Sequence, residues 1–234
     1  MLFFPRTGIS RVPGGGPGWL GHEAGAVRPL CADCHKALNR CYCHLVVPVL
    51  PGPKVVLLVH PREDRKRGAL NTARMVRRCV QGAELFVGLD FHAHSRLSLL
   101  LSDPGLAPFL LHPGSGSLNP QDPEVGRILG GRRMLMLVPD GTWRQARQIL
   151  LFNPELAALP RLGLDPPEPG LVTFRRQPAE GCLSTLEAVH QALLGLQAFC
   201  PSGPPRALQA MKEILRHVVD EQVALGGSTV SRSE

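Results

Sequence analysis

Four cysteines fall within 13 residues as Cys31-x-x-Cys34 and Cys41-x-Cys43. Zinc takes four soft ligands in a tetrahedron, and two close thiol pairs joined by a short loop supply that set. His35 and His44 lie beside the pairs and could replace one thiol. Four protein ligands leave no open position, so the expected site is structural, and metal binding would offset the entropy of ordering so short a segment. The competing readings are unpaired buried thiols or one or two disulfides. Cys79, Cys182 and Cys200 are isolated and read as core residues.

A second source of chemistry is positive charge. Arg62, Arg65, Lys66, Arg67, Arg74, Arg77 and Arg78 outnumber Glu63 and Asp64, a local +5. Arg74 and Arg78 are four apart, on one face of a helix, with Arg77 beside them. Such a surface can follow a phosphate backbone, or it can be only a solvated helix face. Arg144, Arg147, Arg175 and Arg176 add further guanidinium groups. His60 either does chemistry at a strand end or anchors the turn through its ring nitrogens.

A third source is a set of small and polar loops. His112-Pro113-Gly114-Ser115-Gly116-Ser117 offers backbone amides to a carboxylate or ribose. Asp140-Gly141-Thr142-Trp143 follows an apolar run. Asp140 there either caps a helix or serves a ligand, and Trp143 either fills the core or covers one. Ser184-Thr185-Leu186-Glu187 has capping-box spacing, which leaves Thr185 able to touch a ligand. The His112 to Ser117 loop lacks the G-x-G-x-x-G spacing followed by an acidic residue, and no G-x-x-x-x-G-K-[ST] occurs anywhere, which argues against nicotinamide dehydrogenases and P-loop NTPases.

The elements that position these loops alternate. Lys54–His60 is a continuous apolar run, as in a strand covered on both faces. A helix is expected near 69–80, then strands at 84–89, 108–112 and 133–138. A helix over 142–152 places Trp143, Ala146 and Leu150 on one face. A fifth strand is expected at Leu171–Arg175, then helices over 184–199 and 205–225, the last with Leu208, Met211, Leu215 and Val218 at helical spacing. Strands alternating with helices predict an α/β fold with a mostly parallel sheet flanked by helices, whose ligands bind beyond the carboxyl ends of strands.

The chain has 234 residues, a net charge of +7 and seven cysteines. An odd cysteine count in a chain this long argues against a disulfide-stapled secreted scaffold. No apolar run approaches the ~18 residues of a membrane span, and Met1-Leu2-Phe3-Phe4 is cut short by Pro5 and Arg6. A reducing, cytoplasmic setting without membrane contact follows. Arg supplies 22 of the 26 basic residues, which suits an anionic partner, nucleic acid first. Residues 1–28 contain ten Gly or Pro and read as a disordered tail; 29–50 read as a small zinc-binding unit with the four clustered cysteines, 51–225 as the α/β domain and 226–234 as a flexible tail.

Taken in order, these pieces resemble the DTW-domain family. The matching stretches are the two cysteine pairs, His60-Pro61, Asn71-Thr72-Ala73-Arg74, His112-Pro113-Gly114, Asp140-Gly141-Thr142-Trp143-Arg144-Gln145-Ala146-Arg147, Phe174-Arg175-Arg176-Gln177-Pro178 and Ser184-Thr185-Leu186-Glu187-Ala188. The resemblance covers about residues 29–200. It departs at the unusually basic stretch after Glu63 and at His112, where an aromatic residue is common.

The resemblance implies a tRNA-uridine aminocarboxypropyltransferase. It would move the 3-amino-3-carboxypropyl group of S-adenosylmethionine to ring nitrogen 3 of a uridine and release methylthioadenosine. It also implies a SPOUT-like fold with a C-terminal trefoil knot, an exceptional topology. On these residues, Pro113, Gly114, Ser115, Thr142, Trp143, Ser184 and Thr185 would hold the donor, and Asp140 would take the uracil proton. The arginines named above, with Lys66, would contact tRNA. Three alternatives stay open: an S-adenosylmethionine-dependent RNA methyltransferase, a ribosomal-RNA aminocarboxypropyltransferase, and a non-enzymatic zinc-containing RNA-binding module.

Overall fold

Val55, Val56, Leu57, Leu58 and Val59 are all at most 1% exposed, which a strand achieves only when both of its faces are covered. They form β1 (Lys54–Val59). The computed structural model describes residues 29–50, 52–65, 70–165, 170–172 and 183–224. The expected tails, Lys66, Arg67, Arg175, Arg176 and Cys182 lie outside the described residues.

The order after β1 is α1 (Pro61–Asp64), α2 (Thr72–Cys79), β2 (Glu84–Val87), α3 (Ser95–Leu101), β3 (Leu106–Leu111), α4 (Pro123–Leu129), β4 (Arg133–Asp140), α5 (Trp143–Phe152), α6 (Pro154–Ala157), β5 (Arg161–Leu162), α7 (Thr185–Gly195) and α8 (Pro205–Ala224). The five strands form one sheet in the order β2-β1-β4-β3-β5. Every pairing is parallel. β1 and β4 run together from Lys54 opposite Leu135 to Val59 opposite Asp140, so their carboxyl ends are level.

Alternation along each strand divides the core in two. Val55, Leu57, Val59, Phe109, Met134, Met136 and Val138 face one layer, packed by α2, α4, α7 and α8. Val56, Leu58, Leu110, Leu135 and Leu137 face the other, packed by α3, α5 and α6. Burying each such side chain contributes roughly 1.5–3 kcal/mol. After β1 the chain leaves towards β2 through α2 on the first face; after β4 it leaves towards β5 through α5 on the second. The carboxyl ends of β1 and β4 are therefore a topological switch point, where a crevice opens in sheets of this kind.

The expected fifth strand at Leu171–Arg175 is not found where it can be seen: Leu171 and Val172 are outside any strand. The fifth strand is Arg161–Leu162, two residues long and too short to carry a period. α3 and α4 are also additions to the sequence reading. Each is only seven residues long. The expected knot depends on the path of 166–169 and 173–182, outside the described residues. Among the described residues, no helix is long and apolar enough to cross a membrane.

Candidate functional site

The carboxyl end of β4 is Asp140, only 8% exposed. Thr185, the first residue of α7, donates its hydroxyl hydrogen to Asp140 Oδ1. Two residues expected at the site from different loops thus meet directly. Asp140 does not cap α5, which corrects the capping alternative. Thr142 is the cap: its Oγ1 accepts from Gln145 N at 3.3 Å, and its own N–H donates to Gln145 Oε1 at 2.6 Å. Gly141 turns the chain between them at φ +148, and a Cβ there would come within 2.9 Å of Gln145. A side chain at that position would be both strained and crowded.

Ser184 caps α7 in the expected capping box: Ser184 N donates to Glu187 Oε2 at 2.8 Å, and Glu187 N to Ser184 Oγ at 3.4 Å. Glu187 Oε1 also accepts from Leu171 N, so one carboxylate fixes two chain segments. The N-termini of α5 and α7 both open beside the end of β4. Their amides and aligned dipoles favour anionic groups there.

His60 is the turn anchor. Its Nδ1 accepts from Arg62 N at 3.1 Å, so Nε2 carries the hydrogen and donates to Gln148 Oε1 at 3.1 Å. Its backbone N–H donates to the Asp140 carbonyl at 3.1 Å. At 3% exposure, with both ring nitrogens engaged, His60 joins β1 to α5 and braces the backbone of Asp140.

The loop after β3 forms the third side. Gly114 and Ser117 close a turn through Ser117 Oγ to the Gly114 carbonyl at 2.8 Å and Ser117 N to the same oxygen at 3.2 Å. Ser115 and Gly116 line a cleft of about 490 Å³ with Ala157, Ala158, Leu159, Pro160 and Arg161. Arg161 crosses close to Gly114, where a Cβ would lie 2.4 Å from its Nη1. Pro113 is exposed and its carbonyl accepts from His112 Nδ1 at 2.8 Å. His112 Nε2 is shut off from solvent with no partner among the described residues. An orphaned acceptor of this kind costs roughly 1–3 kcal/mol. The half-buried Trp143 meets the His112 ring edge-on, with centroids 5.5 Å apart. Burial, then the charges of Arg161 and Arg147, hold His112 below the ordinary imidazole range.

Arg161 is the site residue that sequence reading missed, because nothing local distinguishes Pro160-Arg161-Leu162. His112 was legible as a strand-end histidine, but not its orphaned nitrogen.

The four clustered cysteines also come together. Cys31 Sγ and Cys43 Sγ are 3.9 Å apart, and Cys34 Sγ and Cys41 Sγ are 3.8 Å apart. All four sulfurs lie within 4.8 Å of one another. A zinc tetrahedron with Zn–S bonds of ~2.3 Å has edges of ~3.8 Å, so the donor set fits zinc. His35 and His44 are not part of this group. His35 instead takes the left-handed turn after Cys34, at φ +58. Backbone N–H groups of Cys34 and Asp33 lower the Cys31 thiol to about 6, while burial raises Cys43 to about 12. Cys79 and Cys200 are buried core thiols, as expected.

The basic side chains divide into two groups. Arg74 Nη2 pairs with Asp64 at 2.7 Å, and Arg78 Nη2 approaches Asp33 at 3.6 Å. Both bind α2 to its neighbours, Arg78 to the cysteine unit. Arg62, Arg65, Arg77, Arg144 and Arg147 are exposed. Arg62 follows β1 closely and Arg144 and Arg147 follow β4, so these three stand at the strand ends.

These features define a parallel α/β protein with a candidate strand-end site of carboxylate, hydroxyl and indole, and a separate cluster of four cysteines that could hold a metal ion. A family model, "DTW domain", matches residues 28–223, and the chain belongs to that family. The fruit fly (Drosophila melanogaster) protein named tRNA-uridine aminocarboxypropyltransferase 2 is 31% identical over 182 residues, covering 73% of this chain and 68% of its own length. Mouse (Mus musculus) and macaque (Macaca fascicularis) proteins of the same name are 26% and 24% identical, each over 71% of this chain and 56% of their own length. The chain thus spans little more than half of those two relatives. No solved structure matches.

Proposed function

We propose that this chain transfers the 3-amino-3-carboxypropyl group of S-adenosylmethionine to nitrogen 3 of a uridine in tRNA. The observation that carries this reading is the Asp140–Thr185 contact at the switch point, in a chain whose relatives are named for that transfer. The N3–Cγ bond forms as the Cγ–S bond breaks. The electron pair goes to sulfur, and methylthioadenosine leaves.

The sulfonium activates three carbons equally in principle, so the choice of carbon is a matter of positioning. The donor's carboxylate suits the cleft of Ser115, Gly116 and Arg161 and the amides of the two helix N-termini. Pro113 and Gly114 shape that cleft, and Thr142, Ser184 and Thr185 keep hydroxyl hydrogens for the donor or for Asp140. Trp143 lies against the adenine or the sulfonium. Asp140 receives the N3 proton, with Thr185 fixing the orientation of its other oxygen.

Nitrogen 3 is hidden in a base pair, so the target uridine is unpaired when bound. Exposed Arg62, Arg65, Arg77, Arg144 and Arg147 track the tRNA backbone, and Lys66, Arg67, Arg175 and Arg176, outside the described residues, are further contacts in this reading. Arg74 and Arg78 serve the same surface by holding α2 in place. Zinc on Cys31, Cys34, Cys41 and Cys43 is structural. The cytoplasm, where thiols stay reduced, suits both the metal centre and the substrate. The reading also carries a SPOUT-like architecture with a C-terminal trefoil knot.

The test is mass spectrometry of tRNA nucleosides after incubation with S-adenosylmethionine. The expected products are a uridine carrying the aminocarboxypropyl group at N3, and methylthioadenosine. S-adenosylhomocysteine with a methylated base would make the protein a methyltransferase. Product on ribosomal RNA alone would change the substrate. No product and no donor binding would leave a zinc-containing RNA-binding module.

A further inference from the structure

We propose that His112 reads a nucleobase at this site, its Nε2 accepting a hydrogen bond from an N–H of a neutral base seated beside Trp143. This rests on the reading above for the identity of the bases present, but its geometry is independent of the transfer chemistry.

The tautomer comes first. Pro113 contributes a carbonyl, which can only accept, so His112 Nδ1 carries the ring hydrogen in that 2.8 Å contact. Nε2 is then a bare lone pair. It is buried and has no partner among the described residues. Among those residues, every other buried side-chain nitrogen or oxygen has a partner, except Arg78 Nε at the cysteine unit. Native proteins rarely leave such an atom unmatched without a use for it.

The surroundings select the ligand. Arg147 on α5 and Arg161 on β5 both act on the ring and, with burial, keep it neutral at physiological pH. The same two guanidinium groups repel an ammonium, so the donor's amine is a poor match for Nε2. An uncharged N–H on a planar ring suits it. The Trp143 indole, edge-on to His112 at 5.5 Å and half-buried, provides an aromatic face on which such a ring stacks.

The adenine of the donor meets the requirement through its exocyclic amine; the target uracil does not, because its one N–H, at N3, is the proton given to Asp140. The experiment tells an adenine contact from a general disturbance of the site. Wild type, His112→Phe and His112→Gln, each with Trp19→Phe so that Trp143 alone reports, are titrated with methylthioadenosine, methylthioinosine and tRNA. His112→Phe keeps the ring without the acceptor, and His112→Gln restores an acceptor at similar reach. If adenine is read, His112→Phe weakens methylthioadenosine about tenfold, or about 1.4 kcal/mol, and leaves tRNA affinity unchanged. His112→Gln recovers most of the loss, and methylthioinosine binds wild type about tenfold more weakly. A loss that falls on tRNA and not on methylthioadenosine overturns the proposal.

A His112→Phe protein that binds both probes as wild type does overturns the proposal. Binding without any transfer by wild type overturns the reading of function and leaves this one to be judged on affinities alone. A wild type that binds neither probe overturns both.

Discussion

Cys31 meets Cys43 across 12 residues of chain, whereas Thr185 meets Asp140 across 45 and Gln148 meets His60 across 88. The two chemically loaded regions of the protein therefore depend on different things. The cysteine unit is closed by its own turns: Cys31 N donates to the Lys36 carbonyl at 2.7 Å, and His35 N to the Cys31 carbonyl at 3.0 Å. It leans on the rest through Tyr42 and Cys34, which belong to the core under α2. The strand-end site has no such local closure. It exists because β1 and β4 end at one level and because α5 and α7 start there from opposite faces of the sheet. A ligand set written in adjacent residues can be lost by one change in spacing. A site gathered by a sheet tolerates local change and fails when a strand end or helix start moves.

That contrast predicts different kinds of damage. The largest effect is expected from removing the metal or a ligand. Cys31→Ser or Cys34→Ser should abolish bound zinc and cost ~3 kcal/mol or more, lowering Tm by ~6 °C or more. Metal analysis and calorimetry on the same samples test this; full stability without zinc would contradict a structural metal. Because burial raises Cys43 to about 12, zinc must displace a proton there, so zinc affinity should rise with pH.

At the strand ends, damage should appear in turnover rather than in stability. Asp140→Asn should reduce transfer on the order of 10²-fold or more with Tm nearly unchanged. Thr185→Val should cost about tenfold, because it frees the carboxylate without removing it. Single-turnover rates beside melting curves check both, and normal turnover by Asp140→Asn would exclude it as the base.

RNA affinity is expected to respond more mildly. Arg62→Ala or Arg144→Ala should weaken tRNA binding and reduce the slope of log affinity against log salt by about 1 each. A salt-independent affinity would remove the phosphate contacts from the account.

The smallest effect belongs to the opposite end of the sheet. Glu84 at the start of β2 pairs with Lys54 at 2.5 Å and Arg96 at 2.8 Å, and these partners lower its carboxyl to about 2. A carboxyl depressed in the folded state stabilises above its unfolded value of ~4.3, and the contribution fades as pH falls towards 2. Glu84→Gln should therefore cost at most about 1 kcal/mol at pH 7 and nothing below pH 2, with transfer unaffected. Urea melts at several pH values would show it.

The strands over 54–59, 106–111 and 133–140 were legible because parallel strands covered on both faces are apolar runs, and β2, a partly exposed edge strand, was legible as a short apolar run. The cap Ser184 was legible as turn chemistry, whereas the sequence offered Asp140, not Thr142, as the cap of α5. β5 was not, since two residues carry no period and the strand exists only because β3 offers its edge. Arg161 was missed with it. The basic helix α2 looked like one continuous cationic face. Its Arg74 and Arg78 are taken up by Asp64 and Asp33, partners whose nearness depends on packing rather than spacing.

The sequence by itself determined the cysteine set, most of the strand runs, the capped start of α7 and, through its ordered motifs, the family. Those depend on neighbours within a few residues, where geometry follows from bond lengths and periodicity. Only the tertiary structure decided that Asp140 meets Thr185 of α7, that His60 is a brace, and that His112 keeps a bare nitrogen beside Trp143. Those depend on which strand ends lie side by side, and strand order is set by the long-range burial of two sheet faces, which no local spacing encodes.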